Sequence, residues 1–111
     1  MTDSSAYWIE TLRLQPHPEG GWFREIYRSA EQVAREALPS RYSGPRSFCT
    51  DAYFLLAERQ FSAFHRLLSG EIWHFFAGGS LVAYLLDAHG KLTVRRLGPD
   101  PEQGDAFQLV I

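Results

Sequence analysis

Two side chains that could exchange protons or bind a metal stand close together in the middle of the chain. His65 and Glu71 lie on either side of a Ser-Gly turn, in segments 61–68 and 71–77 that both have the composition of β-strands. If both side chains point into the same enclosed space, an imidazole and a carboxylate meet there and could bind a divalent metal or exchange protons with a substrate. The residues leave open a second interpretation, a buried His–Glu hydrogen bond that only holds the two strands together.

A second histidine follows Glu71 at the spacing Glu-x-x-His, which on a helix could supply half of a two-metal site. The aromatic residues around it, Trp73 and Phe75, favour a strand, in which residues three apart face opposite ways. We therefore expect His74 to point away from Glu71 and to be a packed or interface histidine.

Glu25 lies in a predicted strand, 22–29, whose alternation places it on the same face as Phe23 and Tyr27. A carboxyl group between two aromatic rings is partly removed from water, which would raise its pKa and suit it to acid–base chemistry. The sequence leaves equally open a salt bridge between Glu25 and an arginine such as Arg66.

The segment ahead of that strand reads Pro-His-Pro-Glu-Gly-Gly, residues 16–21. Its prolines fix φ, and its glycines permit positive φ and close backbone approach. The segment is either a connector from helix to strand or a rigid lip that brings Glu19, Arg24 or Glu25 to the mouth of a pocket.

Composition excludes several classes of protein. The chain has 111 residues, 45% of them hydrophobic, a net charge of −2 and one cysteine, Cys49. These values indicate one folded domain and argue against disorder, a nucleic-acid binder and a cysteine-rich zinc site. No apolar run approaches the roughly 20 residues that span a bilayer, and the first residues do not resemble a signal peptide. We expect a cytoplasmic protein without membrane or nucleic-acid partners.

Periodicity predicts mostly strands. A short helix is expected at residues 4–14, capped by Ser4 or Ser5, and a second at 30–38, where Ser29 and Gln32 have capping-box spacing. Short apolar runs separated by turn residues predict further strands, at 48–57, 61–68, 71–77, 81–87, 91–97 and 106–111.

The strands at 71–76 and 81–86 are apolar on both faces. Since a small antiparallel barrel normally leaves its outer face wet, we expect a homodimer that covers this sheet. The last segment, 106–111, is an apolar strand without a polar tail, so it either pairs internally or belongs to a longer domain.

Long stretches of the chain have a familiar pattern. They are HPEGGWFREIYR at 17–28, DAYFLL at 51–56 and FSAFHRLLSGEIWHFFAG at 61–78. Together with segments 90–98 and 104–110, they resemble an uncharacterised family of the RmlC-like cupin superfamily marked by HPEGG and EIWH motifs. The resemblance implies a single all-β domain over 1–111: a cupin-type double-stranded β-helix, or jelly-roll barrel, with a short N-terminal helix and an interior small-molecule pocket.

The general cupin motif resembles G-x5-H-x-H-x3–4-E-x6-G. Here His65 fits its first histidine, Glu71 its glutamate and Gly78 its last glycine, but Leu67 replaces the second histidine. The usual metal triad is therefore broken, and we expect no cofactor. Members of the family usually continue through further strands, so the resemblance also implies a C-terminally truncated barrel, incomplete or completed by a partner.

Two functions remain compatible with the resemblance. The first is a binding module for a small polar ligand such as a nucleotide or sugar nucleotide. The second is an enzyme similar to sugar-nucleotide epimerases, in which His65 is the base and Glu25 or Glu71 assists; this rests on analogy between folds. A metal-dependent cupin enzyme is a third, weaker interpretation, because it needs at least three ligands. Residues expected to contact the ligand, besides His65 and Glu71, are Glu19, Phe23, Tyr27, Arg66, Trp73 and His74.

Overall fold

The computed structural model describes residues 4–111. Contacts divide the chain into two compact units, one ending at Leu68 and the other comprising Ser69–Ile111. Short strands dominate both units, and the described residues include one α-helix. The predicted all-β class with a short N-terminal helix is confirmed. The closed barrel, the truncated C-terminus and the single domain over the whole chain stay predictions.

The first unit holds helix α1 (Ser5–Thr11), a 3-10 turn (Arg35–Ala37) and strands β1 (Gln15–Pro16), β2 (Trp22–Arg28), β3 (Gln32–Val33), β4 (Arg46–Ser47) and β5 (Thr50–Leu55). The second unit holds a 3-10 turn (Pro101–Gln103) and strands β6 (Ile72–His74), β7 (Leu81–Leu86), β8 (Leu92–Leu97) and β9 (Gln108–Val110).

Helix α1 begins as the sequence predicts. The Ser4 hydroxyl accepts a hydrogen bond from the Tyr7 backbone N–H, which satisfies one of the first-turn donors. The helix ends at Thr11, earlier than expected, because Arg13 has a φ of 56° and leaves the helical region. Leu14 follows at once and is buried.

Strand β2 is the centre of a three-stranded antiparallel sheet in the order β1-β2-β5. Its register with β5 places Phe23 opposite Phe54 and Glu25 opposite Ala52, but an irregularity then places Tyr27 opposite Asp51. The extra residue, Ile26, is a β-bulge. Cross-strand partners share a face, whereas consecutive residues do not, so Glu25 and Tyr27 lie on opposite faces. The prediction that Phe23, Glu25 and Tyr27 share one face is therefore wrong for Tyr27.

The helix predicted at 30–38 is absent from the structure. The Ser29 hydroxyl accepts from the Glu31 N–H, a bond over two residues that closes a turn instead of a capping box. Strand pairing then takes over, because β3 pairs with β4 and the Phe48 N–H donates to the Glu31 carbonyl. A nine-residue helix followed by proline is marginal, and these long-range backbone bonds replace it.

The strand predicted at 61–68 is also absent from the described structure. His65 and Glu71 were expected on adjacent strands of one hairpin, but β6 pairs with β9. Segment 61–68 instead makes a backbone hydrogen bond from the Ala63 N–H to the Glu19 carbonyl, 2.8 Å long. The predicted hairpin is thus wrong, and His65 lies on a segment of the first unit without regular secondary structure.

The second unit consists of two antiparallel pairs, β6 with β9 and β7 with β8. Leu97 and Leu109 are its buried apolar residues. The loop between β8 and β9 is held by Asp105, whose side chain has no exposed surface and accepts hydrogen bonds from the Ser80 hydroxyl, the Arg96 guanidinium and the Asp100 N–H.

Many large apolar side chains remain exposed. On the β7–β8 hairpin they fall on one face, because Tyr84 pairs with Val94 and Leu86 with Leu92, and all four are more than half exposed. Homodimerisation through this surface stays a prediction. Within residues 4–111, no helix is long and apolar enough to cross a membrane.

Candidate functional site

The HPEGG turn (residues 17–21) is a hydrogen-bonded loop before β2. The His17 N–H donates to the Gly21 carbonyl at 2.8 Å, and the Gly20 N–H donates to the His17 carbonyl at 3.1 Å. These two bonds fix the path of Pro18 and Glu19 at its tip. The backbone of the turn is therefore held in place, and its role as a lip at the mouth of a pocket stays a prediction.

His17 anchors the turn to the sheet. Its ring meets the rings of Phe23 and Phe54 edge-on, with centroids 4.9 and 5.3 Å away, and these two phenylalanines are cross-strand partners. Its Nδ1 lies 3.1 Å from the Glu19 N–H nitrogen and 3.1 Å from Glu19 Oε2. Neutral His17 accepts from the N–H there, and protonated His17 donates to the carboxylate, so either form holds Glu19 in place.

Both glycines of the turn are required by backbone crowding. Gly20 has a φ of 113° and Gly21 a φ of 80°. A Cβ on Gly20 would collide with the Phe61 carbonyl oxygen, and one on Gly21 would lie 2.8 Å from the Leu55 carbonyl oxygen. The turn is thus wedged between the end of β5 and segment 61–63.

An open groove with a volume of about 420 Å³ lies along this turn. We name it the HPEGG groove. Its wall carries an acid, a guanidinium, a primary amide and an aromatic ring. It is lined by Pro18, Glu19, Gly20, Gly21, Arg59, Gln60, Phe61 and Ala63.

Arg59 takes a conformation that is unusual for a residue with a side chain, with a φ of 65°. The turn around it enforces this, because the Gln60 N–H donates to the Ala57 carbonyl at 3.0 Å and the Gln60 Oε1 accepts from the Ala57 N–H at 2.9 Å. Left-handed backbone costs a non-glycine residue free energy, and such residues concentrate at functional sites. The groove is therefore lined by one arginine in a costly backbone conformation.

His65 is tied to the groove through Ala63. The His65 Nδ1 lies 2.8 Å from the Ala63 carbonyl oxygen. Since a carbonyl only accepts, Nδ1 carries the proton in this contact, and Nε2 is left as the basic nitrogen of the neutral ring. The His65 side chain is exposed, as is that of Arg66 beside it.

Glu25 does not have the environment that acid–base chemistry would need. Its two carboxylate oxygens each accept from the Arg28 guanidinium at 2.8 Å. Hydrogen bonds from Arg28 lower the pKa of Glu25 below its usual value. The predicted rise in the Glu25 pKa is therefore wrong. The salt-bridge alternative is right, with Arg28 in the place of Arg66.

Three further predicted residues lie in the second unit. The Glu71 carboxylate accepts from the Trp73 indole N–H at 2.9 Å, and its backbone exchanges hydrogen bonds with Ile111. His74 pairs with Gln108 at the end of β6. Because His65 and Glu71 belong to different units, their convergence in one hollow stays a prediction. Among residues 4–111, the structure shows no group of three or more His, Cys, Asp or Glu side chains placed to hold a metal ion.

Sequence reasoning found one side of the groove and missed the other. Glu19 was expected at a pocket mouth and lines the groove, while Phe23 supports it through His17. In the sequence, Arg59 and Gln60 were interpreted only as turn residues between the predicted strands 48–57 and 61–68. The only indication in the sequence was the predicted turn between two strands. The left-handed backbone of Arg59 depends on contacts that the sequence pattern does not reveal.

Comparison with known proteins extends over nearly the whole chain. The model of the family Cupin_5, described as Cupin superfamily (DUF985), matches residues 6–111. None of the curated proteins compared with the chain matches it significantly.

Two solved structures are similar to this one. The X-ray crystal structure of protein SO0799 from Shewanella oneidensis is 37% identical and superposes with a TM-score of 0.82 over 98% of this chain and 63% of the other. A hypothetical protein from Leishmania major is 31% identical, with a TM-score of 0.83 over 97% of this chain and 64% of the other. The chain thus spans less than two thirds of the length of either relative.

Proposed function

The chain belongs to the Cupin_5 (DUF985) family of the cupin superfamily, and we propose that it binds a small polar ligand, of the nucleotide or sugar-nucleotide class, in the HPEGG groove. One observation carries this proposal: Glu19 and Arg59 line the same open groove. A ligand with both an anionic group and hydroxyl groups complements that pair of charges.

Each part of such a ligand has a partner of suitable chemistry. The Arg59 guanidinium can donate two parallel hydrogen bonds to a phosphate, and the Glu19 carboxylate can accept from sugar hydroxyls. Phe61 is 74% exposed beside them and offers a face on which a base can stack. The rigid backbone of the HPEGG turn supports the proposal, because a preorganised site loses little entropy on binding.

Calorimetric titration with UDP-glucose, UMP and AMP tests this function. We expect at least one of them to bind, and Glu19→Gln and Arg59→Ala each to weaken binding about tenfold or more, since a charge-assisted hydrogen bond contributes about 1.5–3 kcal/mol. Glu102→Gln and Arg95→Ala are matched controls, because both residues are exposed in the second unit. Binding that is absent for all three probes, or unchanged in both groove variants, contradicts the proposal.

A second candidate function is sugar-nucleotide epimerisation with His65 as the general base. The hydrogen bond to Ala63 supports it, because this bond leaves His65 Nε2 as the basic nitrogen next to a groove residue. The base would remove the proton from the carbon beside a sugar carbonyl, and a second proton donor such as water would protonate the resulting enolate from the opposite face.

Deuterium uptake from D2O into a 4-keto-sugar nucleotide, followed by proton NMR, measures this step. We expect uptake that His65→Ala abolishes and that His89→Ala, on an exposed turn, leaves unchanged. If His65→Ala exchanges as fast as the unmodified protein, the enzymatic function is excluded and the binding function stands.

A further inference from the structure

Two arginines flank a single buried tyrosine in the first unit. The Arg41 Cζ lies 4.9 Å and the Arg46 Cζ lies 5.3 Å from the centroid of the Tyr42 ring. Both distances are within the reach of a cation–π interaction. Tyr42 is only 6% exposed, whereas both arginines are exposed. Two positive charges therefore lie within 5.3 Å of the centre of one ring.

Hydrogen bonds fix this arrangement. The Tyr42 hydroxyl donates to the Leu68 carbonyl at 2.7 Å, and the Arg41 Nε donates to the same oxygen at 2.9 Å. Arg46 is held by its backbone, because it lies on β4 opposite Val33. The Arg41 side chain is thus anchored through Nε, and its terminal Nη groups donate no hydrogen bond within residues 4–111, which leaves them for a further acceptor.

The two charges are not neutralised within the described part of the chain. The ion pairs there join His17 to Glu19, Arg28 to Glu25 and Arg96 to Asp105, and none of them includes Arg41 or Arg46. Two like charges at one ring repel each other, and an anion that contacts both would convert that repulsion into attraction.

We propose that Arg41 and Arg46 form a binding site for a phosphate group over the edge of the Tyr42 ring. Guanidinium donors form short, charge-assisted and often bidentate hydrogen bonds to phosphate oxygens. None of the three residues lines the HPEGG groove, so this site is separate from the ligand site proposed above.

Titration with inorganic phosphate at constant ionic strength, followed by proton–nitrogen NMR, tests the site. We expect the Arg41 and Arg46 Nε–H resonances to shift and saturate. Arg46→Gln should weaken phosphate binding about tenfold or more, the loss of one charge-assisted contact. Arg46→Lys should recover part of that loss, because it keeps the charge without the planar fork.

The controls separate this site from the rest of the surface. Arg95→Gln removes an exposed arginine of the second unit and should leave the phosphate-induced shifts of the Arg41 and Arg46 resonances unchanged. Arg59→Gly removes the guanidinium of the groove, and any phosphate binding that is lost there should also leave the Arg41 and Arg46 shifts unchanged. The Arg46 side chain contacts the Tyr42 ring but makes no hydrogen bond or ion pair with the described residues. We therefore expect Arg46→Gln to fold normally. Unchanged binding in Arg46→Gln, or an equal loss in Arg95→Gln, overturns the proposal.

Glucose 6-phosphate then distinguishes the two sources of such a group. If it binds at the same resonances more tightly than phosphate, the site takes a phosphorylated metabolite. If the two bind equally, the site takes free phosphate. In either case, Arg46→Gln must lose phosphate binding at the Arg41 and Arg46 resonances. A loss of nucleotide binding in Arg59→Gly concerns the HPEGG groove alone and does not affect this conclusion.

Discussion

Glu19 and His65 are held to the same residue of the first unit. The Ala63 N–H donates to the Glu19 carbonyl at 2.8 Å, and the Ala63 carbonyl lies 2.8 Å from His65 Nδ1. One peptide segment therefore positions the acid at the tip of the HPEGG turn and the imidazole beside the groove. This link is what joins the proposed binding site to the proposed base.

The tautomer of His65 follows from this link. Since Nδ1 must donate to the Ala63 carbonyl, we expect neutral His65 to carry its proton on Nδ1. Long-range proton–nitrogen NMR of the imidazole rings above neutral pH reads this directly. His89, whose ring has no such contact within residues 4–111, provides the reference. A proton on Nε2 of His65 would remove the support for its role as a base.

Gly20 should tolerate no side chain. Gly20→Ala places a methyl group against the Phe61 carbonyl and requires a φ of 113°, so we expect the free energy of unfolding to fall by about 2 to 4 kcal/mol. Gly44→Ala is the matched control, because a Cβ there meets nothing within 4 Å. Urea unfolding monitored by fluorescence measures both. Equal effects of the two substitutions would mean that the HPEGG turn is not wedged as described.

We expect the native Arg59 to favour ligand binding and to lower the stability of the fold. Its φ of 65° suits glycine, so Arg59→Gly relieves backbone strain while it adds freedom to the unfolded chain. We expect the free energy of unfolding to stay equal or rise by up to about 1 kcal/mol, and UDP-glucose binding to fall. Thermal unfolding and calorimetric titration of the same sample measure the two quantities. A clear loss of stability would show that the guanidinium has a structural role instead.

The correct and incorrect sequence predictions differ in the range of the contacts involved. The β7–β8 hairpin was predictable, because two apolar runs flank a short turn and pair with each other. The predictions of a helix at 30–38 and a strand at 61–68 were wrong, since backbone bonds from the Phe48 N–H to the Glu31 carbonyl and from the Ala63 N–H to the Glu19 carbonyl decide those segments. The local sequence pattern carries no information about such long-range pairings.

The candidate site follows the same division. The local signal of two prolines and two glycines predicted a constrained bend at the HPEGG turn, but it left open whether the bend is a connector or a lip that carries Glu19. The bulge at Ile26 places Tyr27 on the opposite face from Glu25. It could not be predicted, because the sequence of the strand reads as a regular alternation of residues. Arg28 lies three residues from Glu25 and was overlooked as its partner, because a regular strand would place the two on opposite faces.

Asp105 should make stability depend on acid pH. Hydrogen bonds from the Ser80 hydroxyl, then from Arg96 and Asp100, hold the pKa of this carboxyl below its usual value. Its stabilisation is therefore complete above the unfolded pKa, near 4, and is lost as pH falls through the lower folded value. We expect Asp105→Asn to be less stable at pH 7 and to show a flatter decline between about pH 4 and pH 2. Urea unfolding across this range tests it, with Glu58→Gln on an exposed turn as control.

The exposed face of the β7–β8 hairpin should mediate self-association. Tyr84, Leu86, Leu92 and Val94 share this face, so a second copy placed against it would remove a continuous apolar surface from water. Light scattering at micromolar concentration should show a dimer. Val94→Asp should raise its dissociation constant about tenfold or more, because a buried charge without a partner is costly.

Arg95→Asp is the matched control for that substitution. Arg95 is the next residue along β8 and points to the opposite side of the hairpin, so the same acidic side chain is added away from the apolar face. We expect this variant to remain dimeric. A monomer in the unmodified protein, or equal dissociation of the two variants, would assign the exposed apolar face to something other than a second copy of the chain.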